Sequence, residues 1–161
     1  MKITNPIFLQ NAGNVGGTSE PYVKMKSTAN KLGVVTVSCS GDISIEYKDN
    51  GVKKIDTYRD LDEVNLYIRA DKGTYAIIKG DITYLYCSGN QLTALDVSGL
   101  NSLQTLHCYG NQFLNEEDLS EDFANSLREV SSGNANLKIN GTQADAVTEI
   151  AEDKGWTVVV I

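Results

Sequence analysis

An internal repeat between residues 82 and 113 constrains this chain more than any other feature. Ile82, Leu85, Cys87, Asn90 and Leu92 recur 21 residues later as Leu103, Leu106, Cys108, Asn111 and Phe113. Gly89 and Gln91 return in the same register as Gly110 and Gln112. A unit this short cannot bury its own apolar face, so it must stack on neighbours of similar shape. The apolar spacing predicts a short strand followed by a tight turn, with successive strands parallel and about 4.8 Å apart. Leu85 and Cys87, like Leu106 and Cys108, should then face the core, while Tyr84, Tyr86, Thr105 and His107 face outward. Asn90 and Asn111 are expected to turn inward and satisfy backbone groups that the bend exposes. Leu92, with Leu95 and Val97, closes the far side of the first coil.

The array is brief. A weaker copy, 24 residues beyond the second, runs through Leu127, Val130, Ser132, Ala135 and Leu137, with serine for cysteine and alanine for asparagine. An offset of 21 before Ile82 finds Leu61, Val64 and Leu66, but Arg69 stands where asparagine belongs. Two regular turns with degraded neighbours need caps at both ends. On the N-terminal side, YVKMKS, GVVTVSCSG, DISIEYKD, EVNLYIRA and TYAIIKG alternate at period two between Gly, Asn and Asp turns, which predicts a β-rich region over 21–80. KDNGVKK reads as a hairpin or loop turn. Residues 1–20 read as a flexible segment.

Beyond Phe113, the spacing of Leu114, Leu119, Phe123 and Leu127 predicts a helix with Asn115 as its cap. ANLKI predicts a strand. A second helix through Ala144, Val147, Ile150 and Ala151 should start at Thr142 and stop at Gly155. WTVVVI closes the chain as a strand with Trp156 at its entrance.

The pattern LxxLxCxxNxLxxLDVS resembles leucine-rich repeats of the cysteine- and asparagine-bearing type found in surface and secreted proteins of gut Bacteroidetes. The match covers residues 82–113, and the KGWTV tail is similar to the segment that closes such arrays. Gly99-Leu100 replaces the usual turn, and Phe113 replaces a leucine. The resemblance implies an α/β repeat fold: a short solenoid with a parallel β ladder over 81–113, an N-terminal β-rich cap and an α/β cap over 114–161. It also implies binding without a known reaction and an extracellular or cell-surface location.

Composition narrows the function. The formal net charge of -7 disfavours a nucleic-acid partner, since phosphate binding needs a concentrated basic surface. Lys24, Lys26, Lys31, Lys48, Lys53 and Lys54 lie among carboxylates and read as a solvated face. No apolar run reaches membrane-spanning length, and the first residues do not resemble an export signal. Three cysteines, an odd number, make no disulfide framework, so free thiols are expected.

Reactive chemistry finds little support in the pattern. His107 and Cys108 are adjacent on a strand and face opposite ways, whereas a nucleophile and its base must meet. Cys87 and Cys108 lack further ligands for a metal. The acidic run Glu116, Glu117, Asp118, Glu121 and Asp122 has no calcium-loop spacing and reads as a solvated helix face. No enzyme and no cofactor are expected. The outward set Tyr84, Tyr86, Thr105 and His107, with Tyr109 at the rim, Asn65 and Tyr67 by register, and Arg128, Glu129 and Ser131 beyond, is the candidate binding surface. The leading reading is recognition of a protein partner, with a glycan ranked second. The competing reading is a structural or assembly module of a larger surface or phage-related particle.

Overall fold

Period-two alternation through the first half of the chain produces strands that fold back on one another. They are β1 (Tyr22–Ser27), β2 (Val34–Cys39), β3 (Asp42–Asp49), β4 (Val52–Arg59), β5 (Val64–Tyr67) and β6 (Tyr75–Lys79). The repeat adds β7 (Ile82–Tyr86), β8 (Leu92–Asp96) and β9 (Thr105–His107). Helix α1 (Glu117–Ser126), β10 (Asn136–Ile139), α2 (Ala144–Asp153) and β11 (Thr157–Val160) follow. The structure is a computed structural model and describes residues 20–161 apart from 30, 31 and 132. The segment 1–20, read as flexible, lies outside the described residues except for Glu20.

The described strands form two sheets. The five-stranded sheet, in the order β4-β3-β6-β1-β8, is antiparallel throughout. The six-stranded sheet, in the order β11-β10-β9-β7-β2-β5, is mixed. Its β7, β9, β10 and β11 are parallel, while β2 runs antiparallel to both β7 and β5. One apolar core joins the inward residues of both sheets, including Met25, Ile45 and Ile78 from the first and Val37, Leu85, Leu106 and Leu137 from the second.

The 21-residue offset is the register between β7 and β9: Tyr84 lies beside Thr105, Leu85 beside Leu106, and Tyr86 beside His107. The LTALD segment of the repeat is strand β8, which pairs with β1 in the other sheet. Each end of the array differs from expectation. Antiparallel β2 lies between β7 and β5, so Val64 and Leu66 are not a preceding parallel rung. Strands from 21–80 are hydrogen-bonded directly to a repeat strand in each sheet, β1 to β8 and β2 to β7, with no break at residue 80.

At the other end, the rung beside Leu106 is Leu137, 31 residues on, and Val130 at offset 24 is not in the ladder. The inserted helix α1 explains the difference, because a helical return consumes more residues than a tight turn. Arg128, Glu129 and Ser131 therefore do not extend the outer face. Asn136 and Lys138 take those places beside Thr105 and His107. Arg128 instead points back, its Nε and Nη2 donating to the Leu103 carbonyl at 3.1 and 2.9 Å.

The helix caps also differ. Helix α1 begins after Glu116 and α2 after Gln143, neither with a side-chain cap. The two residues expected to cap them bond to each other: the Thr142 amide donates to Asn115 Oδ1 at 3.1 Å, and the Thr142 hydroxyl donates to the Asn115 carbonyl at 3.2 Å. That contact joins the entrances of the two helical segments. Gly155 lies just past the end of α2 with φ +88°, and its amide donates to the Glu152 carbonyl at 2.8 Å. Trp156 is buried and its Nε1 donates to the Arg128 carbonyl at 2.8 Å.

A Cβ at position 155 would sit 2.2 Å from the Val130 carbonyl oxygen, in a backbone conformation that L residues resist. Gly155→Ala should therefore lower the unfolding free energy by roughly 2–4 kcal/mol, from left-handed strain and overpacking together. Urea denaturation followed by circular dichroism measures it.

Candidate functional site

The outer face of the six-stranded sheet is built by register. One row across the strands contains Asn65, Thr36, Tyr86, His107, Lys138 and Val159. The adjacent row contains Ser38, Tyr84, Thr105, Asn136 and Thr157. Inward residues between them, such as Leu85, Leu106 and Leu137, are buried and fix the height of every outward side chain.

The structure brings four of the candidate binding residues, Tyr84, Tyr86, His107 and Tyr109, into ring contact. The His107 ring lies 5.8 Å from both the Tyr84 and Tyr86 centroids, edge-on to each. Tyr86 is edge-on to Tyr109 at 5.9 Å, and the two hydroxyls share a hydrogen bond of 2.8 Å. Edge-to-face packing is the favoured arrangement for aromatic pairs. The Lys138 ammonium lies 5.9 Å from the Tyr109 centroid, within cation–π range. Thr105 sits beside Tyr84 in the ladder. Tyr67 stands apart: it is 73% exposed and pairs with Val34, two strands from β7. The intervening β2 supplies Thr36, whose hydroxyl donates to Asn65 Oδ1 at 2.7 Å.

Burial sets the ionisation of the cluster. It lowers the His107 pKa, and the neighbouring Lys138 charge lowers it further. The Tyr84 hydroxyl is pushed up by burial first and by Glu63 second. The Tyr86 hydroxyl is pushed up chiefly by its hydrogen bond with Tyr109, then by burial.

Under this face, the repeated asparagines hold the backbone. Asn111 Nδ2 donates to the carbonyls of Cys87 and Cys108 at 3.1 and 2.7 Å. Its Oδ1 accepts from the amides of Asn90 and Leu92 at 3.1 and 3.0 Å. Asn90 Oδ1 accepts from the Gly33 amide at 2.9 Å, and its Nδ2 donates to Val34, Cys87 and Ser88 carbonyls. The sequence reading missed a third rung at Asn140, whose Oδ1 accepts from the Gly110 amide at 2.7 Å. Asn140 follows Ile139 directly instead of lying three residues past a cysteine, so the spacing concealed it. Lys138, Thr36 and Asn136 were also missed. Alternation in NLKI and VVTVSC marks them as outward, but only the pairing order places them on this face.

The three cysteines are free and buried. Burial alone pushes the Cys87 thiol up to about 12, and burial with the nearby Cys87 raises Cys108 as well. His107 lies on the outer face while Cys108 is buried in the core. The acidic run at Glu116, Glu117, Asp118, Glu121 and Asp122 is exposed. Among the described residues, no group of three or more His, Cys, Asp or Glu side chains is placed to hold a metal ion. Among the same residues, no helix is long and apolar enough to cross a membrane.

No family model, curated protein or solved structure matches this chain. Function is therefore read from the residues themselves.

His107 is the chain's sole histidine, so its ring signals in NMR titrate without overlap. They should report a pKa below the ordinary 6.5, and Lys138→Gln should raise it. A lowered folded-state value means that the contribution of His107 to stability is complete above the ordinary pKa. That contribution is lost as pH falls toward the folded value.

Proposed function

We propose that this chain is a non-enzymatic binding module of leucine-rich-repeat type that recognises a protein through the outer face of its six-stranded sheet. The observation that carries the reading is the interlocked cluster of Tyr84, His107, Tyr86 and Tyr109. These rings stand on the solvent side of a hydrophobic core that closes without them. Rings already held edge-to-face lose little side-chain entropy when a partner covers them. Their hydroxyl and imidazole groups add directional hydrogen bonds, a combination enriched at the centres of protein interfaces.

The repeat-type reading draws support from the 21-residue register of β7 and β9 and from the parallel roles of Asn90 and Asn111. A glycan is the second choice of ligand, because sugars stack on open ring faces and edge-to-face packing already covers part of these faces. A cell-surface setting follows the resemblance of the repeat. A structural module in a larger assembly is the second function, favoured by the exposed valines of β11.

A pull-down from host and bacterial extracts with wild type and the Tyr84→Ala/Tyr86→Ala/His107→Ala variant tests the proposal. The variant should retain its circular dichroism spectrum and lose the partner. Equal capture by both proteins would contradict recognition through this face.

A further inference from the structure

Four strands edge the two described sheets, and three of them carry protection against pairing with another chain. Strand β4 bears Lys53, Lys54 and Arg59. Strand β8 is flanked by α1 and the 3-10 turn at Gln112–Asn115. Strand β5 is four residues long and is flanked by Glu63 and Arg69. Short, charged or covered edges are the usual ways of preventing edge-to-edge association. Strand β11 is equally short and packs against α2, but it bears no charged side chain: it reads Thr-Val-Val-Val and continues into Ile161.

The ladder fixes which groups of β11 are open. The Thr157 amide donates to the Ala135 carbonyl at 2.8 Å and the Ile161 amide to the Ile139 carbonyl at 3.0 Å. Odd-numbered residues therefore address β10, and the N–H and C=O groups of Val158 and Val160 face the open edge. The core beneath is also unsealed. Ile139 is 0% exposed, yet Val160, its neighbour in the same inward row, is 51% exposed.

We propose that β11 pairs antiparallel with β11 of a second copy about a two-fold axis through Val159. This register follows from the open groups. Val158 meets Val160 of the partner subunit, and Val160 meets Val158 of the partner subunit, as two hydrogen-bonded pairs. Val159 meets Val159 of the partner subunit as a non-hydrogen-bonded pair, which suits a residue whose own N–H and C=O already address β10. Inward residues meet inward residues, so both cores continue across the junction. Every side chain at the contact except Thr157 is apolar and none is charged, so the segment is complementary to itself. A parallel, head-to-tail contact of β11 with β5 would set these valines against the polar edge at Glu63 and Asn65.

The axis is normal to the sheet, so the two six-stranded sheets join with both outer faces on one side. Two tyrosine clusters would then address a partner together, and bivalency raises apparent affinity without new contacts. The pairing itself stands independently of the recognition reading. Each copy carries a formal charge of -7, so the association should strengthen as salt screens the repulsion.

Sedimentation velocity on the full chain from about 1 μM to about 1 mM should show mass rising from monomer to dimer and no further. Val159→Lys puts two ammonium groups at the axis on an outward, half-exposed position, and should weaken the dimer at least about tenfold with an unchanged monomer spectrum. Across a non-hydrogen-bonded antiparallel pair the Cα atoms are about 4.5 Å apart, which lies within disulfide range. Val159→Cys should therefore form a covalent dimer on mild oxidation, while Thr157→Cys, on the same face of the same strand, should cross-link at least about tenfold more slowly. A monomer throughout the range, equal cross-linking of the two cysteine variants, or mass growing beyond the dimer would each overturn the proposal.

Discussion

The Asn111 carboxamide is the interaction on which the parallel part of the structure depends. Its two donors and two acceptor lone pairs are all used, toward Cys87, Cys108, Asn90 and Leu92. A primary amide has no further capacity of this kind. These bonds tie the bend after β9 to the bend after β7, and Asn90 repeats the device toward Gly33 and Val34 at the start of β2. A buried backbone group without a partner costs about 1–3 kcal/mol, so a bend at this depth persists only while the amides serve it. The 2.6 Å approach that a Cβ at Gly33 would make to Asn90 Oδ1 shows how closely the backbone follows the side chain.

From that anchoring follows the geometry of the outer face. Asparagines placed 21 residues apart hold β7 and β9 in a register that sets Tyr86 beside His107 and Tyr84 beside Thr105. Leu85 and Leu106 then fill the core directly beneath, and the rings above them pack edge-to-face on one another. The same burial that lowers the His107 pKa also holds its ring in place between two tyrosines. Aromatic order at the surface is thus a consequence of polar order inside. The edge at β11 extends the same principle outward: the backbone pattern of a parallel ladder leaves the amides of Val158 and Val160 addressed to whatever lies beyond.

Legibility in the sequence followed the range of each interaction. The repeat exposed the β7–β9 register, the inward cysteines and the inward asparagines, because all are local consequences of period and alternation. Strands β1, β2, β3, β5 and β6 were equally visible as alternating runs, whereas β4, mostly exposed along its length, showed only as the far side of the KDNGVKK turn. The pairing of these strands was not visible, since β2 and β1 enter the two sheets by long-range antiparallel contacts that no local pattern encodes. The insertion of α1 moved the third rung from offset 24 to 31, which transferred the outward positions from Arg128 and Glu129 to Asn136 and Lys138. Asn115 and Thr142 were read as caps from residue type alone, whereas tertiary proximity gives each the other as its partner.

The most direct test of this account is removal of the Asn111 amide. Asn111→Ala takes the side-chain partner from the Asn90 and Leu92 amides and the Cys108 carbonyl, while the Cys87 carbonyl keeps Asn90 Nδ2, and should lower the unfolding free energy by about 3–5 kcal/mol. Hydrogen exchange at the Asn90 and Leu92 amides should quicken by more than that global loss requires. A variant within about 1 kcal/mol of wild type, with both amides still protected, would show that the ladder holds without its asparagine.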